Sequence, residues 1–184
     1  MVRISSDPKP GVPVVPKRTD PVFRLFVYGT LKVGFPNHAR FCASVLSART
    51  ARIRGRLFAT PWEHPVADLP PDQILARGSR NLGQDWDRQM ALETDVARGP
   101  PGPETDDSDG WIQGELMEFP DPVGWLAALD RFEEFDPEGG VFRFDRVLVP
   151  VYLDAGICLP AWVYAGAGIL NDHHFPEVAG GLWR

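Results

Sequence analysis

Val22-Phe23-Arg24-Leu25-Phe26-Val27-Tyr28, closed by Gly29-Thr30, is the stretch on which the fold turns. Its aromatic and β-branched residues run with hardly a polar break, the pattern of a strand buried on both faces. Downstream of Gly34 and Pro36, Asn37 is placed to cap a short helix, His38 to Leu46, with Phe41, Val45 and Leu46 at helical spacing. Arg49 to Ala59 alternates, with Ala51, Ile53, Gly55 and Leu57 on one side and Arg52, Arg54 and Arg56 on the other. That is a strand with one wet face.

Upstream, residues 1–20 hold Pro8, Pro10, Pro13 and Pro16 among Lys9, Lys17 and Arg18 and read as a flexible arm, too poor in apolar side chains to offset the entropy of ordering. Residues 21–184 then read as one domain with a long insertion at about 60–110. The insertion carries Pro61, Pro65, Pro70, Pro71, Pro100, Pro101 and Pro103 and ends in the acidic run Glu104 to Asp109. It reads as mostly irregular, part of it folded back through Trp62, Trp86, Met90 and Leu92, with Gly99 to Asp109 loose. Trp111 to Phe119 is the next strand. Asp121-Pro122 starts a helix to about Glu134, Asp accepting free first-turn amides and Pro suiting the first helical position. Gly139-Gly140 breaks the chain, Phe142 to Leu153 is a long strand, and Leu159 to Tyr164 a shorter one. With few crossover helices, a doubly wound parallel sheet is excluded; the expected class is α+β around a mixed, curved or barrel-like sheet.

Composition narrows the function. The chain has 184 residues, 43% hydrophobic and 24% charged, enough for one domain with a real core. Nineteen prolines and eighteen glycines put Pro plus Gly at about a fifth of the chain, above the usual ~12%, which argues against long helical bundles. A formal charge of −6 repels phosphate backbones and anionic membrane surfaces, so neither nucleic acid nor a membrane is an expected partner. Cys42 and Cys158 have no C-x-x-C spacing and read as reduced core thiols. The first twenty residues lack a signal-length apolar run, and nowhere do eighteen apolar residues follow one another; a soluble cytoplasmic chain is expected.

Two places carry candidate chemistry. At about 100° per residue, Glu133 lies roughly 50° from the centre of the apolar stripe Trp125, Leu126, Leu129 and Phe132, whereas Glu134 lies about 150° away and faces water. A carboxylate at the edge of an apolar face and in the last helical turn is costly to ionise, which raises its pKa toward the range of a general acid/base. The alternative is a half-buried residue bonded to an arginine or a backbone amide. At Tyr28-Gly29-Thr30-Leu31 the strand stops at a glycine, and amides freed at such a turn bind a carboxylate or oxyanion; an ordinary turn is the other reading. The G-x-x-x-x-G-K-[ST] phosphate-loop pattern is absent. His38 reads as structural, His64, His173 and His174 give no metal-ligand spacing, and Cys42 lacks a neighbouring base. No metal or other cofactor is expected.

Phe26-Val27-Tyr28-Gly29-Thr30-Leu31-Lys32-x-Gly34-x-Pro36-Asn37-His38, followed by Gly114-Glu115-Leu116 and by Leu129-Asp130-x-Phe132-Glu133, resembles the γ-glutamylcyclotransferase-like (AIG2-like) family, within it the γ-glutamylamine cyclotransferase branch. The resemblance runs from about Phe23 to Tyr164. It implies a small mixed β-barrel flanked by short helices, a substrate-binding loop at Tyr28, Gly29, Thr30 and Leu31, and a catalytic glutamate at Glu133. It further implies transferase or lyase chemistry: the α-amine of a small γ-glutamyl substrate attacks its own γ-carbonyl, giving 5-oxoproline and a free amine or amino acid. The alternatives are a non-catalytic small-molecule-binding or regulatory domain on the same scaffold and, further off, hydrolysis by water. One departure stands out. Many relatives carry Tyr-x-Arg where this chain has Phe144-Asp145-Arg146, so a hydroxyl is missing, and Arg146 is either an electrostatic support of the site or an exposed strand arginine. The insertion is placed to cover the barrel mouth, with Trp62 and Trp86 as walls. Neither the leaving amine nor the oligomeric state follows from these residues.

Overall fold

The computed structural model describes residues 21–97, 110–137, 144–166 and 174–184; the arm, Gly99 to Asp109 and Gly139-Gly140 lie outside them. Along the chain come β1 (Phe23–Val27), α1 (Pro36–Phe41), β2 (Ser47–Arg54), β3 (Arg56–Ala59), β4 (Pro65–Asp68), β5 (Ala76–Arg77), α2 (Leu82–Ala97), β6 (Trp111–Phe119), α3 (Leu126–Phe132), β7 (Phe144–Tyr152) and β8 (Cys158–Gly166). The fold is α+β: β2, β6, β1, β8 and β7 are successive neighbours, and β2 meets β7 at Arg52 and Tyr152 to close a barrel. β1 runs parallel to β8, and the other barrel pairs are antiparallel. β5 adds to β7, and β3 with β4 forms a separate hairpin. No helix among the described residues is long and apolar enough to cross a membrane.

β1 shows why its sequence is apolar except at Arg24, which is buried and ion-paired with Glu93 and Glu118. Phe26 and the following Tyr28 point into one core with Ile53, Leu116, Val149 and Val163. Phe23, Leu25 and Val27 point the opposite way into a second, with Leu126, Leu129 and Trp162. Side chains alternate across a strand, so a barrel strand covered by a helix is apolar on both faces, with a charge such as Arg24 kept only where it is paired.

Four boundaries depart from the sequence reading. α1 begins with Pro36 at its first turn and ends at Phe41, so Asn37 is not its cap. It stops early because the Leu46 amide donates to the Glu118 carbonyl and draws the chain into the β2–β6 ladder. The expected strand 49–59 is two strands. Gly55 sits at φ +146, and a Cβ there would approach the Asp68 carbonyl oxygen, so β2 enters the barrel while β3 turns into the hairpin. α3 starts at Leu126 rather than Pro122, because the Asp121 carboxylate accepts from the Val123 amide in a separate turn. The stretch expected to be mostly irregular holds β4, β5 and the sixteen-residue α2.

Gly114 of the Gly-Glu-Leu motif has a packing role. A Cβ there would strike the Val27 carbonyl oxygen and come 2.6 Å from Phe26 Cζ, both on the neighbouring β1. Gly114→Ala is expected to destabilise the protein by about 2 kcal/mol through overpacking, lowering Tm by roughly 4–8 °C in thermal melts. An unchanged Tm would remove this account of the motif.

Candidate active site

A cavity of about 690 Å³ opens where β1 ends. One wall is Tyr28, Gly29, Thr30 and Leu31; another is Phe132, Glu133 and Glu134 at the end of α3; β7 and β8 contribute Phe144 and Tyr164, and the hairpin connection contributes Trp62 to Pro65. All five residues singled out in the sequence line this one space. The loop after β1 is tied down on both sides. The Lys32 amide donates to the Gly29 carbonyl, His38 Nδ1 lies 3.0 Å from the Leu31 carbonyl, Asn37 Nδ2 donates to Thr30 Oγ1, and Lys32 Nζ reaches the Trp183 carbonyl. At Gly29 a Cβ would press on Pro65 at 3.1 Å, so glycine lets the loop lie against the hairpin.

Glu133 is the C-cap of α3, its amide donating to the Leu129 carbonyl at 2.9 Å. No hydrogen bond or ion pair to its carboxylate is seen among the described residues. Burial alone pushes the carboxyl up to about 7. The arginine or amide partner of the alternative reading is therefore not present within the described structure. Behind burial, the Glu133 charge is the next influence raising the Tyr28 phenol, and it contributes also to raising Cys42, whose thiol is pushed up to about 12. Cys158 is half-buried beside Tyr152 rather than in the core, and burial takes it up to about 11. Neither thiol is a ready nucleophile at neutral pH.

Tyr28 presents its ring to the cavity while its hydroxyl is committed elsewhere, donating to the Tyr164 carbonyl at 2.7 Å and accepting from the Ala67 amide at 3.3 Å. Tyr164, which the sequence did not single out, also lines the cavity. Its hydroxyl donates to Asp130 Oδ1 at 2.6 Å, one turn before Glu133 on α3. Arg146, facing Tyr164 across β7 and β8, is wholly buried, which excludes the exposed reading. Its Nη1 holds both Asp130 oxygens at 2.6 Å, and its Nη2 holds Asp85 Oδ2 at 2.6 Å and the Ser79 carbonyl at 2.9 Å. Burial opposes the guanidinium charge, but Tyr164, Asp130 and Asp85 outweigh it and hold Arg146 protonated. For Asp130 burial raises the carboxyl against the pull of Arg146. The position lacking a hydroxyl, Phe144, does line the cavity. Trp62 is a wall as expected; Trp86 instead packs from α2, half-buried, against the second core. Glu134, at φ +51, follows the end of α3, so helical angles no longer apply to it: it is exposed, yet on the cavity rim. Among the described residues no group of three His, Cys, Asp or Glu side chains is arranged to hold a metal.

A closed mixed barrel with flanking helices, and a cavity at the strand ends facing one half-buried carboxyl, defines the class. The family described as Gamma-glutamyl cyclotransferase, AIG2-like, matches residues 25–78 and 91–184. The chain belongs to that family. The match extends past Tyr164 through the C-terminal tail and passes over residues 79–90, where α2 begins. An aig2-like protein from Mus musculus shares the fold at a TM-score of 0.51 and 18% identity, over 89% of this chain and 88% of that one. YkqA from Bacillus subtilis is similar at a TM-score of 0.48 and 21% identity over 88% of this chain, which spans 39% of that protein's length. A gamma glutamyl cyclotransferase specific to glutathione from yeast is similar at a TM-score of 0.43 and 13% identity, over 84% of this chain and 75% of that one. No curated protein sequence matches.

Proposed function

We propose that the chain converts a small γ-glutamyl compound to 5-oxoproline and a free amine, with Glu133 moving the proton. The observation that carries this reading is a carboxyl without a partner among the described residues, pushed up to about 7 by burial, facing a cavity large enough for a small substrate. Glu133 takes a proton from the substrate's α-ammonium. The freed amine attacks the γ-carbonyl, Glu133 passes its proton to the departing nitrogen as the C–N bond to the leaving group breaks, and the second proton of the attacking nitrogen is then taken by Glu133 and leaves on the released amine, so the lactam nitrogen keeps one hydrogen. Ring closure brings its own proximity advantage, so the protein chiefly folds the substrate and steadies the oxyanion. The turn Gly29, Thr30 and Leu31 is the proposed holder of the substrate carboxylate or the oxyanion. Tyr164, its hydroxyl donating a hydrogen bond to Asp130, lines the same space.

Incubation with a panel of γ-glutamyl compounds, read for 5-oxoproline by mass spectrometry, tests the reading. Product with the matching free amine is expected, and glutamate in place of 5-oxoproline would mean hydrolysis. A silent panel with retained binding would support the non-catalytic alternative, which the missing hydroxyl at Phe144 favours. The pH profile is a separate prediction. The base form of Glu133 is needed first, so kcat/KM is expected to fall about tenfold per pH unit below about 7. A profile flat from pH 5 to 8 would exclude Glu133 as the base.

A further inference from the structure

Asn37 and His38 lie in the first turn of α1 but do not cap it; the N-cap is Phe35, with no side-chain cap bond. Both instead reach back seven residues to the loop after β1. Asn37 Nδ2 donates to Thr30 Oγ1 at 3.0 Å, and His38 Nδ1 meets the Leu31 carbonyl at 3.0 Å. A carbonyl only accepts, so His38 Nδ1 carries the hydrogen. The Gly29 carbonyl is held in turn by the Lys32 amide. Carbonyl and N–H of one trans peptide point in opposite directions, so the Thr30 N–H, which shares its peptide with the Gly29 carbonyl, is turned out of the loop. It has no hydrogen-bond partner among the described residues. Thr30 and Asn37 both line the cavity. Among the described residues three hydroxyls line it, and two have their protons placed: Tyr28 donates to the Tyr164 carbonyl and Tyr164 to Asp130. The third, on Thr30, receives the Asn37 N–H on one lone pair, and its own proton has no acceptor among the described residues. An N–H cannot accept, so that proton points away from Asn37.

We propose that Asn37 is a positioning residue that holds the Thr30 side chain so that its hydroxyl, with the amide of the same residue, donates to the anionic oxygen of the substrate, the γ-glutamyl carboxylate or the oxyanion formed from the γ-carbonyl. The proposal rests on the cyclotransferase reading and adds to its loop a side-chain donor and the residue that aims it. No lysine or arginine lines the cavity among the described residues, whereas Glu63, Glu133 and Glu134 do. An anion entering there meets charge of its own sign. Neutral dipoles must therefore hold it, and a donor already oriented needs no reorganisation when the charge arrives. Asn37 supplies that orientation to the hydroxyl, which otherwise rotates about its own bonds. His38 does the same for the backbone, because the Leu31 carbonyl it binds and the Lys32 amide that holds the Gly29 carbonyl belong to one peptide plane.

The test reads kcat and KM for 5-oxoproline from γ-glutamyl-alanine, and the Kd of γ-glutamyl-alanine by calorimetry on the same variants made in Glu133→Gln. Thr30→Val, equal in shape but without the hydroxyl, is expected to lower kcat/KM by about 10- to 100-fold, the scale of one hydrogen bond to a charged group, and Thr30→Ser to stay within about threefold. Asn37→Ala is expected to cost about 3- to 10-fold. Asn37→Asp costs more than Asn37→Ala, because a carboxylate accepts the Thr30 proton and turns it from the cavity. The two sites together separate aiming from bracing: in Thr30→Val, Asn37→Ala adds less than about twofold, whereas an asparagine that only braces the loop costs the same in both backgrounds. A loss seen in Kd puts the hydroxyl on the carboxylate, and a loss in kcat with Kd kept puts it on the oxyanion; either supports the proposal. Thr30→Val within about twofold of wild type, Asn37→Asp no worse than Asn37→Ala, or an Asn37→Ala cost undiminished in Thr30→Val overturns it while 5-oxoproline still supports the cyclotransferase. 5-Oxoproline from neither γ-glutamyl-alanine nor the rest of the panel, with Kd weakened about tenfold by Thr30→Val, overturns the cyclotransferase reading and leaves the donor standing. The same silence with a Kd that Thr30→Val leaves unmoved overturns both.

Discussion

Glu133→Gln is expected to lower 5-oxoproline formation by about 10³-fold while γ-glutamyl compounds still bind within about threefold of the wild-type Kd. Gln keeps the size and most of the hydrogen-bonding capacity of the side chain but cannot carry the proton. The same substitution is expected to stabilise the protein. Burial pushes the folded carboxyl up to about 7, against about 4.3 in an unfolded chain. Between those values the folded state binds the proton more tightly, so the contribution of Glu133 to stability is lost as pH rises from about 4.3 through about 7. At 1.36 kcal/mol for each tenfold in proton affinity, the ionised side chain costs the folded state about 3 kcal/mol at pH 8. Gln removes that cost, which corresponds to a Tm higher by roughly 6–12 °C at pH 8 and close to wild type near pH 4.5. Thermal melts at both pH values check it. A variant that loses activity with no gain in Tm at pH 8 would mean that Glu133 is not strained by burial.

What the sequence disclosed follows from which interactions are local. β1 was readable because both of its faces are apolar, and β6 because Trp111 to Phe119 is a strand over the whole stretch expected. The place of Glu133 on the Leu126 and Leu129 side was legible because its amide still closes a helical turn onto the Leu129 carbonyl, so helix geometry carries one residue past the end of α3. α2 was not readable, and its inner face gives the reason: Asp85 and Gln89 are wholly buried where an apolar stripe would be sought. Gln89 takes the place of a strand partner, its amide donating to the Val22 carbonyl and its oxygen accepting from the Arg24 amide, each at 2.8 Å. That pairing joins residues more than sixty positions apart, and no window of sequence shows it. The early end of α1 has a similar cause, the Leu46 amide being claimed by β6. The candidate site divided the same way. Its loop and its glutamate are motif residues, whereas Tyr164 and Phe144 meet them through the pairing of β8 and β7 beside β1, and Trp62 through the β3–β4 hairpin.

Arg146→Met is expected to cost the fold about 3–5 kcal/mol, lowering Tm by roughly 10–15 °C, and to reduce kcat/KM beyond what the loss of folded protein explains. The buried guanidinium sits between two carboxylates, so removing it leaves Asp130 with no cation among the described residues and Asp85 with only Arg88, whose Nη1 lies 3.1 Å from its Oδ1. The ring of Phe135 lies 4.7 Å from the guanidinium carbon, and that contact survives in part with Met. The charge does not. Adding Asp85→Asn to the methionine variant is expected to recover stability, because a single buried carboxylate is then left in place of two. Arg146→Lys is expected to recover less than a conservative exchange suggests, since one ammonium cannot hold both Asp130 oxygens and also reach Asp85 and the Ser79 carbonyl. The effect on activity runs through Asp130. Once its carboxylate is no longer held, the Tyr164 hydroxyl loses its fixed acceptor beside Glu133, so the methionine variant should show a displaced acid limb in its pH profile, which a purely structural loss would not produce. Ser79 and Asp85 lie in the segment that the family match passes over, so the support of Tyr164 rests partly on an addition to the shared barrel. A methionine variant within 1 kcal/mol of wild type in urea unfolding, with its acid limb unmoved, would show that the addition clamps Arg146 without bearing on the site.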